Sequence, residues 1–253
     1  MKNSQRFITY LSTEIIGIAL LTLLWLAMTL FYPAYIVPTP WSVLTDFRNY
    51  LPVVFGQQAL TTLYRTLIGF ILAMMLGTLS GILAHVKHWD RAMNSIMLAI
   101  QVLPAMILGV IFLLIFGLGD LAPILLVTFL TMPTLAINTI HGLAKKDVRL
   151  QQYLVSLNAG RTTVLRFVYL PALIPVIQSN ISLGMGMAIK VVIMGEFIGA
   201  QDGIGYLLNN ARLVFNMKEV FFYLAFILLI TLVFQALQSL ILNRFFQKYY
   251  NPG

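Results

Sequence analysis

Residues 121–143 read LAPILLVTFLTMPTLAINTIHGL, 23 positions without one Asp, Glu, Lys or Arg. A bilayer core of roughly 30 Å needs about 20 mostly apolar residues as a helix, so this stretch predicts a membrane span. Working outward from it, five more such stretches occur, at about 15–32, 59–86, 93–117, 168–198 and 220–246. They are continuous and rich in Leu, Ile, Met and Ala, which predicts helices; barrel strands would show short alternating segments. Pro133, Pro171 and Pro175 fall inside the fourth and fifth, where neighbouring helices can satisfy the freed carbonyls. Composition agrees: 60% of the 253 residues are hydrophobic and 9% charged, against about 25% charged in a soluble domain. The expected fold class is all-α, a polytopic membrane protein of six transmembrane helices in one domain, 1–253. The N-terminus, with Lys2 and Arg6, imitates a signal peptide. Its apolar run is too long and no small-residue cleavage site follows, so an uncleaved first span is expected.

Orientation follows from the basic residues. With the N-terminus inside, eleven of the 16 Lys and Arg fall on the inner side and four (Arg48, Arg65, Arg212, Lys218) on the outer, with Lys190 inside a span. Both termini are therefore expected in the cytoplasm. The net charge of +8 is a topology signal and implies no nucleic acid. With Cys 0 there is no disulfide or thiolate metal site, and His85 and His88 flank Lys87 without further ligands. No G-x-x-x-x-G-K-[ST] loop is present. Ser80 and His85 stand about 140° apart on a helix, off one face, so they make no hydrolase dyad. No cofactor is expected.

The connections are unequal. Residues 87–92 and 118–120 are tight turns, whereas the outer stretch 33–58 carries Pro38, Pro40, Trp41 and Tyr50, which suits a segment at headgroup level. The inner stretch 144–167 holds five of the eleven inner charges: Lys145, Lys146, Arg149, Arg161 and Arg166. Within it Asp147 is placed to cap a helix whose Leu150, Leu154 and Leu157 share one face. Asn158-Ala159-Gly160 then breaks that helix, Asn and Gly both being able to take a left-handed cap. A second short run, 161–169, leads to the next span. Such an element meets either anionic lipid or a protein partner.

The run from Asn158 through Arg161 to Leu170-Pro171-Ala172-Leu173-Ile174-Pro175 resembles the EAA loop of permeases of binding-protein-dependent ABC importers. Gly195-Glu196-Phe197-Ile198 followed by Gly203-Ile204-Gly205-Tyr206-Leu207 is similar to the end of the fifth span in the nitrate/sulfonate/taurine-type branch. Val37-Pro38-Thr39-Pro40-Trp41-Ser42-Val43 and Thr62-Leu63-Tyr64-Arg65-Thr66-Leu67 resemble further segments of that branch. The four strings stand in the family's order. Counting back from Pro171, the family's glycine falls on Asn158 and its E-A-A triplet on Gln152-Tyr153-Leu154. Gln152 can hydrogen-bond but not ion-pair.

The resemblance implies a type I ABC importer permease fold in a bacterial cytoplasmic membrane. It implies a non-catalytic subunit that forms the path for a small solute delivered by an external binding protein. Its partners would be a separate ABC ATPase, a second permease copy and the lipid bilayer. Arg149, Gln152, Tyr153, Leu154, Asn158, Ala159, Gly160, Arg161 and Pro171 are the expected ATPase-coupling residues. Lys190 and Glu196 lie six residues apart on the fifth span, about 9 Å of rise. Charges in lipid cost several kcal/mol by insertion scales, so each should face protein or a watery path, as lining or gate. Arg65 and Arg212 are expected as solvated outer arginines. The rival reading is an ion- or proton-coupled carrier relaying through Lys190 and Glu196, which leaves the inner helix–turn–helix without a task.

Overall fold

A computed structural model describes residues 2–51 and 55–250, and the described residues are helices and their connections. The elements are α1 (Lys2–Phe31), α2 (Pro40–Thr45), a 3-10 turn (Phe47–Tyr50), α3 (Phe55–Val86), α4 (Asp90–Val102), α5 (Ala105–Phe116) and α6 (Leu121–Ala144). There follow α7 (Val148–Ser156), α8 (Arg161–Val164), a π-type turn (Leu165–Tyr169), α9 (Leu170–Gly199), α10 (Ile204–Leu213) and α11 (Met217–Tyr250). Positions 52–54 of the outer loop, and the side chains of Lys2, Arg6, Arg244 and Lys248 counted above as inner, lie outside the described residues.

Four of the six expected spans are single helices long and apolar enough to cross a membrane: Phe55–Val86, Leu121–Ala144, Arg161–Gly199 and Met217–Gln238. The first is described as a shorter apolar helix, Ile16–Phe31. The third is a correction: Asp90–Gln101 and Ala105–Phe116 meet at 85°. Pro104 is the physical reason. It has no N–H to continue the helix, and it pushes Leu103 into extended backbone at ψ 128°. Pro133 is carried inside α6 without a break. Before Pro171 the chain instead takes the π-type turn, with Leu170 N–H bonded to the Leu165 carbonyl.

The chain forms two compact units. In the larger, residues 56–207 and 228–253, α6 is the central element. Val127, Leu135 and Ala136 are fully buried, and α4, α5 and α9 pack on α6. Phe70, Val127, Met185, Ala188, Ile189 and Val192 form the apolar core. Lipid tails are as apolar as leucine, so close approach and polar contacts do the selecting. Gly69, Ala73, Gly77 and Gly81 follow at four-residue spacing down α3 and are all buried. A Cβ on Gly77 would stand 2.7 Å from the Met132 carbonyl oxygen, and one on Gly69 2.7 Å from Val127 Cβ. Deeper in the unit, buried Asn180 donates to Thr78 Oγ1 at 3.1 Å and Thr139 Oγ1 at 2.9 Å, and accepts from Asn138 Nδ2 at 2.8 Å.

The smaller unit, residues 1–55 and 208–227, is tied by aromatic contacts and one surface ion pair. Trp25 stacks on Phe221 at 5.2 Å and donates to the Pro38 carbonyl at 2.9 Å. Trp41 is exposed as expected of a headgroup-level residue, but Tyr50 is buried. Its ring packs on Phe222 and its carbonyl accepts from the Tyr223 hydroxyl at 3.1 Å. The Lys218 ammonium, 2.9 Å from Asp46, holds that carboxyl below its ordinary range.

Two outcomes test this packing. Gly77→Val must separate α3 from α6 and should cost ~1–3 kcal/mol, read as a lower unfolding temperature in detergent. Gly56→Ala, in open space, should cause no loss. Because the folded Asp46 value lies below the unfolded one, its contribution is present above about pH 4 and disappears as pH falls through the lowered value. Asp46→Asn should therefore flatten the acid limb of a pH–stability curve.

Candidate functional site

Two polar constellations sit at opposite ends of α3. The outer one is built on Arg65. Its guanidinium is 1% exposed and donates from all three of its nitrogens. Nε and Nη2 reach Asp120 Oδ1 at 2.7 and 2.6 Å. Nη1 donates to Glu196 Oε1 at 3.1 Å and to the Asp202 carbonyl at 3.0 Å, while Nη2 also meets the Asp202 carboxylate. Glu196, itself 1% exposed, accepts from Thr62 Oγ1 at 2.8 Å and from the Gly205 N–H at 3.0 Å through its other oxygen. The Ile204 N–H is taken by Thr62 Oγ1 at 2.8 Å and that of Gly203 by Gln58 Oε1. The first turn of α10 thus points its unpaired N–H groups at Glu196 and its neighbours, where a helix dipole favours negative charge. Gly203, at φ +99°, has no space for a Cβ, which would run into the Glu196 carboxylate.

This corrects the expectation of a solvated Arg65. It also separates the expected pair: Glu196 turns to Arg65, and Lys190, about 120° around α9, is exposed with no hydrogen bond or ion pair among the described residues. Arg212 is exposed as expected and donates to Asn209 Oδ1 at 3.0 and 3.2 Å. Asp120 and Asp202 were missed by sequence reasoning. The available signal was scarcity, since the chain has eight acids and three of them meet on Arg65.

The second constellation is the loop 144–167, expected from the sequence on the inner side. Asp147 caps α7, its Oδ1 accepting from the Leu150 N–H at 3.0 Å. The helix ends in a Schellman motif: Ala159 N–H bonds to the Leu154 carbonyl at 3.0 Å and Asn158 N–H to the Val155 carbonyl at 3.0 Å. Asn158 takes the left-handed conformation at φ +55°, which glycine usually supplies at such a cap. Gly160 does not take that conformation. At φ −63° it stands before α8 as the N-cap residue, a correction to the shared role expected for the two. Leu154 is half-buried, but Leu150 and Leu157 are exposed, so among the described residues the leucine face is largely uncovered. Arg149, Gln152, Tyr153, Gly160, Arg161 and Pro171 are exposed and Ala159 half-buried. Val148, Tyr153, Val155, Leu157, Leu165 and Phe167 thus present an apolar surface among basic residues.

The family described as binding-protein-dependent transport system inner membrane component matches residues 69–247, well over half of the chain. The chain belongs to this family. Among its relatives is a riboflavin transport system permease protein of Chloroflexus aurantiacus, 31% identical over 83% of this chain and 79% of the relative. A formylaminopyrimidine transport permease protein of Halalkalibacterium halodurans is 23% identical over 74% and 75%, and the taurine transport system permease protein of Escherichia coli 25% over 76% and 73%. An inward-facing MetNI methionine ABC transporter shares the fold, with a TM-score of 0.66 at 19% identity, covering 77% of this chain and 97% of that one. The permease is thus an all-helical, multi-pass inner-membrane subunit of an ABC importer, and works with an ATPase and a binding protein. The carrier reading finds no support.

Removing Arg65 leaves Glu196 buried and unpaired, a loss of roughly 3–5 kcal/mol. Arg65→Ala should therefore lower the unfolding temperature of the purified permease markedly. Arg65→Lys should rescue little, because an ammonium cannot span the fork that reaches Asp120, Glu196 and Asp202.

Proposed function

We propose that the permease acts through its inner loop, 144–167, as the docking element for the ATPase, with the whole chain, 1–253, serving as one permease domain. The observation that carries this is the unpartnered surface of α7 and its surroundings, apolar side chains set among Arg149, Arg161 and Arg166. In this reading Tyr153 and Leu154 seat in the ATPase, with Gln152 hydrogen-bonding where the family's glutamate would stand. Asn158, Ala159 and Gly160 set the angle between α7 and the helix that begins at Arg161, and Pro171 opens the span beyond. Hydrolysis belongs to the ATPase; this chain is non-catalytic, and both its termini face the cytoplasm.

Two copies of the permease enclose the path. Lys190, a charge too costly to leave in hydrocarbon, lines it, and Glu196 with Arg65 closes its outer end as a gate. The cargo is a small solute of the size of those named for the relatives.

Tyr153→Ala and Leu154→Ala should each reduce ATPase co-purification and solute uptake several-fold with unchanged membrane insertion. Uptake and co-purification equal to wild type in the double variant would overturn the docking role.

A further inference from the structure

The loop 144–167 leaves α6 beside Lys146 and rejoins the bundle at Tyr169, and both ends meet on one ammonium. Lys146 Nζ lies 2.8 Å from His85 Nε2 and 4.6 Å from the centroid of the Tyr169 ring. His85 ends α3 and is 8% exposed. Its Nδ1 lies 3.3 Å from Asp90 Oδ2 at the start of α4, and its ring is edge-on to Tyr169 at 6.3 Å.

An ammonium only donates, so in this contact Nε2 accepts from Lys146, and Nδ1 is the ring nitrogen that faces Asp90. The other Asp90 oxygen is buried without a partner among the described residues, so His85 Nδ1 is the group that meets this carboxylate there. A second proton on His85 would convert Nε2 to a donor, set like charge against Lys146 and break the contact. The titratable groups that meet His85 are Asp90 from α4, Lys146 after α6 and Tyr169 from the π-type turn. Lys146 directly precedes Asp147, the cap of α7, so its contacts tether the chain at the start of that helix to His85 and Tyr169.

We infer that His85 is a positioning residue for ATPase coupling: as neutral imidazole it holds Lys146, and through Lys146 both ends of the docking loop, and its protonation releases them. This rests on the reading of 144–167 as the docking loop.

The test uses the full-length permease in nanodiscs, titrated with its ATPase subunit at pH 8 and pH 5.5. Wild-type affinity should fall roughly tenfold on acidification, the scale of one hydrogen bond to a charged group. His85→Gln, whose amide oxygen accepts from Lys146 at either pH, should bind as wild type does at pH 8 and lose that fall. Lys146→Met should bind weakly at both. The inference is overturned if His85→Gln keeps the wild-type pH profile, or if Lys146→Met binds like wild type while Tyr153→Ala and Leu154→Ala do not. If those two variants also bind like wild type, the docking role itself fails.

Discussion

A guanidinium buried in a membrane protein constrains everything around it. Arg65 cannot shed its proton, and leaving it unpaired in a medium of low dielectric would cost several kcal/mol. Its three nitrogens therefore dictate where the carboxylates of Asp120, Glu196 and Asp202 must be. Those acids come from the turn before α6, from the last turns of α9 and from the turn before α10. One side chain thus pins the outer ends of the larger unit. Glu196 is the one of the three that is fully buried, and it alone also draws in Thr62 and the Gly205 N–H. Asp120 and Asp202 are about half exposed, so water stabilises the negative charge that Arg65 does not neutralise.

Below that clamp the bundle is selected by shape. The glycines of α3 bring its backbone against α6, and Asn180 joins α3, α6 and α9 through bonds that hydrocarbon could not replace. A scaffold held this tightly at the core and around Arg65 leaves the loop 144–167 as the part that presents exposed apolar side chains among the described residues. That division suits a subunit that carries no phosphate-binding loop and draws its driving force from a separate ATPase.

The loop itself shows how a turn is made with a residue other than glycine. Asn158 occupies the left-handed position that glycine usually fills, and the Schellman bonds around it are complete. Asparagine here costs the loop little in geometry. Gln152 is exposed and polar and carries no charge.

The spans, the helix–turn–helix at 147–169 and the cap at Asp147 were legible in the sequence because each depends on residues within a few positions of one another. Apolar run length, Leu spacing and capping chemistry are local. The break at Pro104 was legible in principle, since proline's missing N–H acts on its own neighbourhood, but a continuous apolar run concealed it. Arg65 was not legible. Its partners lie 55, 131 and 137 residues away, and nothing near position 65 distinguishes a solvated arginine from a buried one. Tyr50 and Glu196 are the same case. The sequence by itself determined that this protein is a bundle of membrane helices with a basic helix–turn–helix between two of them. Only the tertiary structure decided which charges meet, because Coulombic pairing depends on distance through space and carries no trace along the chain.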